Sequence, residues 1–332
     1  MSATGGTATR ADEPETGSHG AGARGATARG NGTRAGGGPP RRRRLGGYLF
    51  VVPAVLFVAA TVLYPLIFNI DLSFRDVGVA QIVEGGAEWV GTENYVDQLG
   101  RGDFWHALII SLLYTGLAVA FAFAAGLALA VYFNQRFPGR NVMRSLLLLA
   151  WVLPTVVSAN VWRWMLDGSY GLLNTLLEAV GLIEGDLFWL ARPVPALFAV
   201  IIATAWSFTP LVMILLLAGL QGIPDTLYEA AKIDGAGGWR RFTSVTMPML
   251  RPVSVTALLL VFIYTFKTFD TVFLMTRGGP GDATMIMPIY AYNEAFEFFR
   301  FDTGAVATTL MLVIPLGLSF FYFRFLRREE TA

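Results

Sequence analysis

The chain has 332 residues, of which 54% are hydrophobic and 15% are charged, with a mean hydropathy of +0.53 and a formal net charge of +1. A soluble chain would carry roughly 25% charged residues, so this composition indicates a membrane protein. The chain contains no cysteine, and its two histidines are His19 and His106. This excludes disulfides and cysteine nucleophiles, and it argues against zinc or haem sites. We therefore predict no metal site and no cofactor.

The first segment, residues 1–44, is rich in Gly, Ala, Thr and Arg. Such a composition cannot bury enough apolar surface to offset the entropy cost of ordering, so we predict a disordered cytoplasmic tail. The apolar run after Arg41–Arg44 is too long for the core of a signal peptide, which predicts an uncleaved first span. Residues 327–332 are predicted to form a second, short cytoplasmic tail.

Apolar runs of more than twenty residues follow the tail, separated by short charged segments. A helix rises about 1.5 Å per residue, so such runs are long enough to cross a hydrocarbon core about 30 Å thick. They are too long and continuous for the strands of a β-barrel. We predict an all-α membrane protein with a transmembrane domain over residues 45–326. Its six predicted spans are Leu45–Ile70, Phe104–Phe133, Val142–Trp162, Val194–Leu220, Pro252–Met275 and Gly304–Leu326.

Lysine and arginine are distributed unequally between alternate loops. One set of loops and chain ends carries fourteen of them, and the alternate set carries six. Because cytoplasmic loops are enriched in these residues, both termini and the loop between the fourth and fifth spans are predicted to be cytoplasmic. Frequent Arg, Ala and Gly are typical of a GC-rich bacterial genome, so the expected location is the inner or plasma membrane of a bacterial cell. The run Arg41–Arg44 is explained by topology, and nucleic-acid binding is not expected.

The loop between the fourth and fifth spans contains a short polar helix. Pro224 suits a first helical position, and Asp225 and Glu229 suit the positive end of the helix dipole. Gly235 can adopt a positive φ and end the helix. A helix of about ten residues is marginal alone, so tertiary or partner contacts must hold it.

One face of this short helix is formed by residues at three- and four-residue spacings. The residues of this face are Leu227, Ala230, Ala231 and Asp234. The paired alanines would let another surface approach the backbone closely. Two hypotheses fit the local residues equally well: a docking element for another protein, or an interfacial helix that only connects two spans.

The same loop resembles a motif in the membrane subunits of binding-protein-dependent ABC importers. That motif reads Glu-Ala-Ala, three residues, Gly, nine residues, then Ile, any residue, Leu and Pro. Val245 stands in place of the Ile and Met247 in place of the Leu, and both keep an apolar side chain. The residues that match in register are Glu229, Ala230, Ala231, Gly235 and Pro248.

The resemblance extends over nearly all of the chain after the tail. The chain is similar to the first of two non-identical permease subunits in carbohydrate importers, such as those for maltose, trehalose and glycerol-3-phosphate. The segments that carry this similarity are Leu49–Pro53, Tyr64–Pro65, Leu72–Phe74, Asn94–Tyr95, Phe266–Asp270 and Thr276–Gly281.

The resemblance implies a permease that forms half of a translocation path for a sugar, an oligosaccharide or disaccharide. The implied partners are a second homologous permease subunit, a dimer of ATP-binding subunits, an extracellular solute-binding protein and the lipid bilayer. The short helix over residues 224–235 would insert into a groove on an ATPase subunit. The residues implied in this coupling are Glu229, Ala230, Ala231, Asp234, Gly235 and Pro248.

The lysines of the chain support a division of labour between subunits. A phosphate-binding P-loop needs Gly-Lys followed by Ser or Thr. The two lysines are Lys232, which follows Ala231, and Lys267, which follows Phe266. ATP hydrolysis is therefore expected on a partner chain, and the chain is predicted to be a transporter subunit, not an enzyme.

Most candidate substrate contacts lie in the fourth and fifth spans. Aromatic rings often stack on the apolar faces of sugars, although aromatic residues in spans more often serve packing. Lys267 and Asp270 are three residues apart, which permits an ion pair on one helix face; it serves either a polar path or a structural role near the interface. The candidates are Trp206, Phe208, Tyr264, Phe266, Lys267 and Asp270, with Tyr114 as a further aromatic.

Two other function classes compete with an importer permease. An ion-coupled secondary transporter of a small polar solute would usually carry internal repeats and several mid-span ionisable residues, and few such residues are present. A membrane enzyme would need clustered carboxylates or a His/Asp constellation, which the sequence does not show. The segment Gly171–Val180 also predicts an amphipathic helix at the outer interface.

Overall fold

The computed structural model describes residues 42–329, and it describes side chains for residues 50–324. The predicted tail 1–44 lies outside the described residues except for Arg42–Arg44, which belong to the first helix, and residues 330–332 also lie outside. The described α-helices are α1 (Arg42–Val58), α2 (Tyr64–Leu72), α3 (Val79–Glu84), α4 (Glu93–Gly100), α5 (Gly102–Asn134), α6 (Arg140–Val152), α7 (Thr155–Met165), α8 (Leu172–Ala179), α9 (Pro193–Gln221), α10 (Asp225–Ile233), α11 (Gly238–Arg241), α12 (Met247–Phe266), α13 (Asp270–Thr276), α14 (Met287–Tyr292) and α15 (Phe301–Glu329).

Shorter elements connect these helices. A 3₁₀ turn at Trp189–Ala191 precedes α9. The strands β1 (Arg75–Asp76) and β2 (Glu88–Trp89) pair antiparallel, with Arg75 opposite Trp89 and Asp76 opposite Glu88. Two π-helical turns, at Ala59–Leu63 and Phe242–Thr246, join consecutive helices, and a third at Asn293–Glu297 extends α14.

Helices long and apolar enough to cross a membrane dominate the described residues. There are five of them, and a bent pair of helices makes six if the pair counts as one span. The predicted helical membrane class is therefore confirmed, and four segments lie close to the predicted first, second, fourth and sixth spans. The five segments are Phe50–Leu72, Gly102–Asn134, Pro193–Gln221, Gly238–Phe266 and Phe301–Arg324.

The predicted third span, Val142–Trp162, is a bent pair of helices. The helices α6 and α7 meet at an angle of 96°. Leu153 lies between them with ψ of 135°, because the ring of Pro154 disfavours the helical conformation of the residue before it. Pro154 thus divides the predicted span into two helices, with Pro154 as the N-terminal cap residue of α7.

The predicted fifth span, Pro252–Met275, has different limits in the structure. Its helical run begins at Gly238 and ends at Phe266, so the predicted entry point Pro252 lies inside α12. Pro248 is the second residue of α12, after Met247, and so lies in the first turn of the helix, where a missing backbone N–H is tolerated. Beyond Phe266 the helix breaks, and α13 starts again at Asp270.

From Val58 onward the chain forms one compact unit, in which α5 and α9 pack along each other. The Tyr114 hydroxyl lies 2.7 Å from Thr204 Oγ1 in a buried hydrogen bond. Further along the pair, a Cβ added at Gly126 would lie 2.6 Å from Val212 Cβ. Gly126 therefore allows a close approach of the two helices, which run parallel because both contacts advance in the same direction.

A buried carboxylate ties the start of α5 to the segment before α15. The Glu294 side chain is only 2% exposed, with Oε1 lying 3.1 Å from Arg101 Nη2 and Oε2 lying 2.9 Å from Arg300 Nη2. Loss of hydration raises the pKa of Glu294, although the two guanidinium groups act to lower it. We call Arg101, Glu294 and Arg300 the arginine clasp.

The amphipathic helix predicted at Gly171–Val180 is confirmed as α8, Leu172–Ala179. Gly171 and Val180 flank it as the capping residues. Its position at a membrane interface stays a prediction.

Candidate functional site

The short loop helix predicted after the fourth span is α10, with Pro224 as its N-terminal cap residue. Gly235 has φ of +74°, in the left-handed region that favours glycine. The Ala236 N–H donates to the Ala231 carbonyl at 2.9 Å, and the Gly235 N–H donates to the Lys232 carbonyl at 3.0 Å. These two bonds form a Schellman motif, so the glycine ends the helix as its position in the sequence predicted.

One side of α10 packs on the chain and the other side is exposed. Tyr228 Oη lies 3.1 Å from Thr246 Oγ1, which joins α10 to the π-helical turn before α12. Ala231, three residues after Tyr228, is half-buried, so the predicted face is divided. Leu227, Glu229, Ala230 and Asp234, by contrast, are exposed.

Large apolar side chains near α10 are also exposed. Ile233 is 86% exposed and Trp239 is 78% exposed, although Trp239 stacks on Phe242 with ring centroids 5.7 Å apart. The structure also brings the two halves of the motif together, because α10 contacts the π-helical turn Phe242–Thr246, which ends two residues before Pro248. The exposed face of α10 thus combines small, acidic and apolar side chains without cover from the described residues.

A cavity of about 350 Å³ lies between α9 and two interruptions in the spans: the bend between α6 and α7, and the break between α12 and α13. Its hydroxyl-bearing residues come from α7, α9 and the α12–α13 segment. The lining residues are Ala150, Trp151, Leu153, Thr155, Ser158, Thr204, Ser207, Phe208, Tyr264, Lys267, Thr268, Phe269, Asp270 and Thr271.

Three aromatic rings form one wall of this cavity. The Phe208 and Tyr264 rings are stacked, with centroids 6.2 Å apart and planes at 27°. Trp151 lies against both, 5.2 Å from Phe208 and 6.1 Å from Tyr264 between centroids. Lys267 Nζ lies 5.0 Å from the centroid of the Tyr264 ring, at a distance that suits a cation–π contact.

The charged residues in the described lining are one cation, Lys267, and one anion, Asp270. The sequence spacing predicted that these two residues could share one helix face. In the structure α12 ends before Lys267 and α13 begins at Asp270, so they do not lie on one helix. A cavity with balanced charge, hydroxyl groups and an aromatic wall suits a polar, uncharged ligand with an apolar face.

Residues 122–328 match the family model described as "Binding-protein-dependent transport system inner membrane component". The chain belongs to this family. The matched residues include α10 and the whole lining of the cavity. The protein is thus a multi-pass membrane subunit of a transport system, as the motif around Glu229 predicted.

The chain is similar to known transport permeases over most of its length. The protein is 36% identical to the trehalose/maltose transport system permease protein MalF of Thermococcus litoralis, over 84% of this chain and 92% of the relative. It is also 36% identical to the diacetylchitobiose uptake system permease protein DasB of Streptomyces coelicolor, over 87% of this chain and 89% of the relative.

The fold is similar to that of a solved bacterial ABC transporter involved in the import of the acidic polysaccharide alginate. The TM-score is 0.74 at 22% sequence identity, over 86% of this chain and 96% of that chain. At this level of identity the likeness concerns the fold alone.

The structure separates the predicted substrate residues into two groups. Phe208, Tyr264, Lys267 and Asp270 line the cavity. The other residues lie elsewhere. Trp206 packs edge-on against Trp162, Phe266 is buried and stacks on Phe262, and Tyr114 is buried against Thr204.

Trp151 belongs to the cavity wall, and it is not among the residues predicted from the sequence. It lies in the last turn of α6, three residues before Pro154. Interpreting Pro154 as a helix break would have placed Trp151 beside an interruption in a span, where side chains face a cavity. The hydroxyl-bearing residues carry no such signal, because serine and threonine are common in membrane helices.

Proposed function

We propose that the protein forms half of the translocation path of an ABC importer for an uncharged disaccharide or oligosaccharide. The observation that carries this proposal is the cavity with the Trp151, Phe208 and Tyr264 wall. Aromatic faces suit the apolar faces of sugar rings, while hydroxyl groups and the Lys267 and Asp270 side chains suit their hydroxyl groups. The trehalose/maltose and diacetylchitobiose names of the relatives support the same class of substrate.

The coupling element of this proposal is α10 with its C-terminal turn, residues 224–235. Its exposed Glu229, Ala230 and Asp234 would face a groove on an ATP-binding subunit, with Glu229 placed to meet a basic residue there. Ala231 would support the helix from the half-buried side. Gly235 and Pro248 would set the geometry of the turn and of the re-entry into α12.

The proposed orientation places both termini and α10 in the cytoplasm of a bacterial cell. The excess of lysine and arginine on this side supports it. The helix α9 spans about 43 Å at about 1.5 Å per residue, so α10 and the start of α9 lie on opposite sides of a bilayer. An external binding protein would then deliver the sugar at the end where α9 begins.

The proposed assembly contains a second homologous permease, a dimer of ATP-binding subunits and an extracellular solute-binding protein. The absence of a Gly-Lys-Ser/Thr sequence supports ATP hydrolysis on the partner chains. Closure of the ATPase pair would move the two α10 elements together and turn the paired permeases from inward- to outward-facing. The cavity would then receive the sugar from the binding protein.

The test reconstitutes the protein in liposomes with the permease, ATPase and solute-binding protein encoded beside it. We expect the four proteins to co-purify and to transport sugar only with ATP and the binding protein. Omitting the ATPase supplies the matched control. Sugar uptake by the protein alone, driven by an ion gradient, would overturn the proposal in favour of a secondary transporter.

A further inference from the structure

A second large cavity lies between α2, α12 and α15. It has a volume of about 520 Å³, and its lining is mostly apolar. We call it the lateral groove, and the proposed function gives it no role. Its lining residues are Leu66, Asn69, Ile263, Phe266, Lys267, Thr308, Thr309, Met311, Leu312, Pro315, Leu316 and Ser319.

The uncharged polar side chains of the lateral groove hydrogen bond within the protein. Asn69 Nδ2 donates to Thr309 Oγ1 at 3.1 Å, and Thr308 Oγ1 donates to Asn69 Oδ1 at 3.1 Å. Ser319 Oγ donates to the Pro315 carbonyl at 2.7 Å. Because these groups already have partners, the groove suits an apolar occupant along most of its length.

The lateral groove is continuous with apolar surface of the spans around it. The spans Phe50–Leu72 and Phe301–Arg324 are long and apolar enough to cross a membrane, and few of their residues are buried. Leu316 in the groove is 59% exposed, and Phe320, one turn further along α15, is 65% exposed. Acyl chains of a bilayer can therefore enter the groove from this surface without leaving a polar group unpaired.

Lys267 lies at the depth of the lipid headgroups. The helix before it, Met247–Phe266, is about 30 Å long at 1.5 Å per residue. This length matches the thickness of a hydrocarbon core. Since Lys267 is the next residue, its ammonium lies at the boundary between the core and the headgroups.

The rest of the groove extends from Lys267 into the hydrocarbon core. The Thr256 hydroxyl lies 2.7 Å from Tyr322 Oη. The groove residues of α12 follow Thr256, whereas those of α15 precede Tyr322, so the two helices run in opposite directions. Lys267 is eleven residues beyond Thr256 and is therefore level with Met311. Leu316 lies about 8 Å deeper at 1.5 Å per residue.

The charge at this end of the groove has no partner of opposite sign. Lys267 is exposed, and its ammonium makes no ion pair with a carboxylate of the described residues. Its Nζ lies 5.0 Å from the centroid of the Tyr264 ring. A cation–π contact at an exposed site is weaker than a charge-assisted hydrogen bond to phosphate. A phosphate at the end of the groove would therefore draw Lys267 away from the ring.

We propose that the lateral groove binds an anionic phospholipid of the bilayer, with its phosphate on Lys267 and an acyl chain along α15. The apolar lining matches the chain, and the cation at headgroup depth matches the phosphate. An anionic lipid is favoured over a zwitterionic one, because the latter carries its own cation beside the phosphate. Since Lys267 also lines the cavity beside α9, the bound lipid would set the position of a charge in that cavity.

The experiment places a photoreactive phenylalanine analogue at position 316 of the full chain, purified with the subunits that it retains. The protein is reconstituted in liposomes of equal parts phosphatidylglycerol and phosphatidylcholine. After irradiation, mass spectrometry identifies the lipid attached to the chain. We expect phosphatidylglycerol to be captured about fivefold more often than phosphatidylcholine, the ratio that one lysine near the headgroups would give.

Position 318 supplies the matched control. Leu318 lies two residues further along α15, in a neighbouring apolar groove whose described lining holds no charged residue. The analogue at this position should capture both lipids equally. With the analogue at position 316, Lys267→Gln should lower the ratio to about one, whereas Lys267→Arg keeps the charge and should retain it.

Three results would overturn the proposal. Equal capture of both lipids at position 316 in the otherwise unaltered chain would show that charge plays no part. Capture of another protein, or no lipid adduct at all, would show that the groove is not a lipid site. A ratio that Lys267→Gln leaves unchanged would place the headgroup on a different residue. None of these measurements depends on transport, so they leave the proposed function standing.

Discussion

At the α10 end of the α5–α9 pair, Ile233 and Trp239 are 86% and 78% exposed, whereas near the start of α5 the charged side chain of Glu294 is 2% exposed. The second region satisfies its polar groups internally, through the arginine clasp. The first leaves apolar side chains uncovered and joins α10 to the body by the Tyr228–Thr246 hydrogen bond. The difference separates an end of the helix pair whose charged groups are paired within the described residues from an end that leaves large apolar side chains exposed.

The largest effect is expected at the arginine clasp. Arg101→Ala leaves the Glu294 carboxylate buried with Arg300 alone. We expect a loss of about 2–3 kcal/mol in the free energy of unfolding, below the 3–5 kcal/mol of a fully buried pair because Arg101 keeps some contact with solvent. Thermal unfolding in detergent measures it. Arg192→Ala, at an exposed site, is the control and should change stability by less than about 0.5 kcal/mol.

The loss of stability expected for Arg101→Ala also depends on pH. Burial raises the pKa of Glu294, so its folded form takes up a proton at a higher pH than its unfolded form. The loss in Arg101→Ala should be largest well above this pKa, where Glu294 is a carboxylate, and should shrink as the pH falls through it. A loss independent of pH would show that Arg101 acts through packing.

The second effect concerns α10, where we propose that an ATPase subunit docks. Gly235→Val places a β-branched residue at φ of +74°, which costs about 1–2 kcal/mol. We expect the thermal unfolding temperature to change little and the affinity for the ATPase subunit to fall about tenfold, since 1.4 kcal/mol corresponds to a factor of ten. Gly237→Val is the matched control, because Gly237 has φ of −65° and open space at its Cβ.

Reversal of charge at Glu229 tests the same surface without strain. Glu229→Lys should weaken ATPase recruitment while the protein remains in the membrane, because Glu229 is exposed on α10. The amount of the variant in isolated membranes measures its retention, and pull-down of the ATPase from these membranes after solubilisation measures recruitment. Normal recruitment in both Glu229→Lys and Gly235→Val would refute the coupling role of α10.

A third prediction compares two aromatic residues from the predicted substrate set. Tyr264→Ala removes a ring from the cavity wall, and a stacking contact contributes about 0.5–1.5 kcal/mol. Sugar uptake by the reconstituted importer should fall about fivefold. Trp206→Ala removes a ring outside the cavity and should leave uptake nearly unchanged. Equal losses in both variants would show that the cavity is not the sugar site.

The smallest effect is expected from Tyr228→Phe. It removes the hydrogen bond to Thr246, which is part-buried and contributes about 0.5–1 kcal/mol. Hydrogen exchange of the α10 amides should become faster by a few-fold, with no change at the clasp. Tyr170→Phe, an exposed tyrosine at the opposite end, is the control. Unaltered exchange in Tyr228→Phe would mean that packing of Ala231 and its neighbours holds α10.

The sequence predicted most spans because length and apolar composition suffice for a membrane helix. It could not separate prolines that a helix tolerates from one that breaks it. Pro53, Pro210 and Pro315 lie inside continuous helices, whereas Pro154 divides the third span. The outcome depends on the tertiary contacts that recover the freed backbone groups, and local sequence does not contain them.

Helix geometry explains why only some of the aromatic residues predicted from the sequence line the cavity. Trp206 and Phe208 are two residues apart, and so are Tyr264 and Phe266, so members of each pair lie on different helix faces. The sequence offered both members of each pair as candidates, and the structure shows that Phe208 and Tyr264 line the cavity. By contrast, the end of α10 at Gly235 was predictable, because a glycine at a helix terminus carries its own conformational signal.

The close contact between Gly126 and Val212 limits how the permease changes conformation. With backbones so near, α5 and α9 cannot slide past each other, and we expect them to move as a rigid body. We expect the chain to flex at interruptions beside this pair, such as those at Leu153–Pro154 and at Lys267–Phe269. Because both hinges border the cavity lined by Trp151, Phe208 and Tyr264, rotation at either one changes the size of the chamber between them.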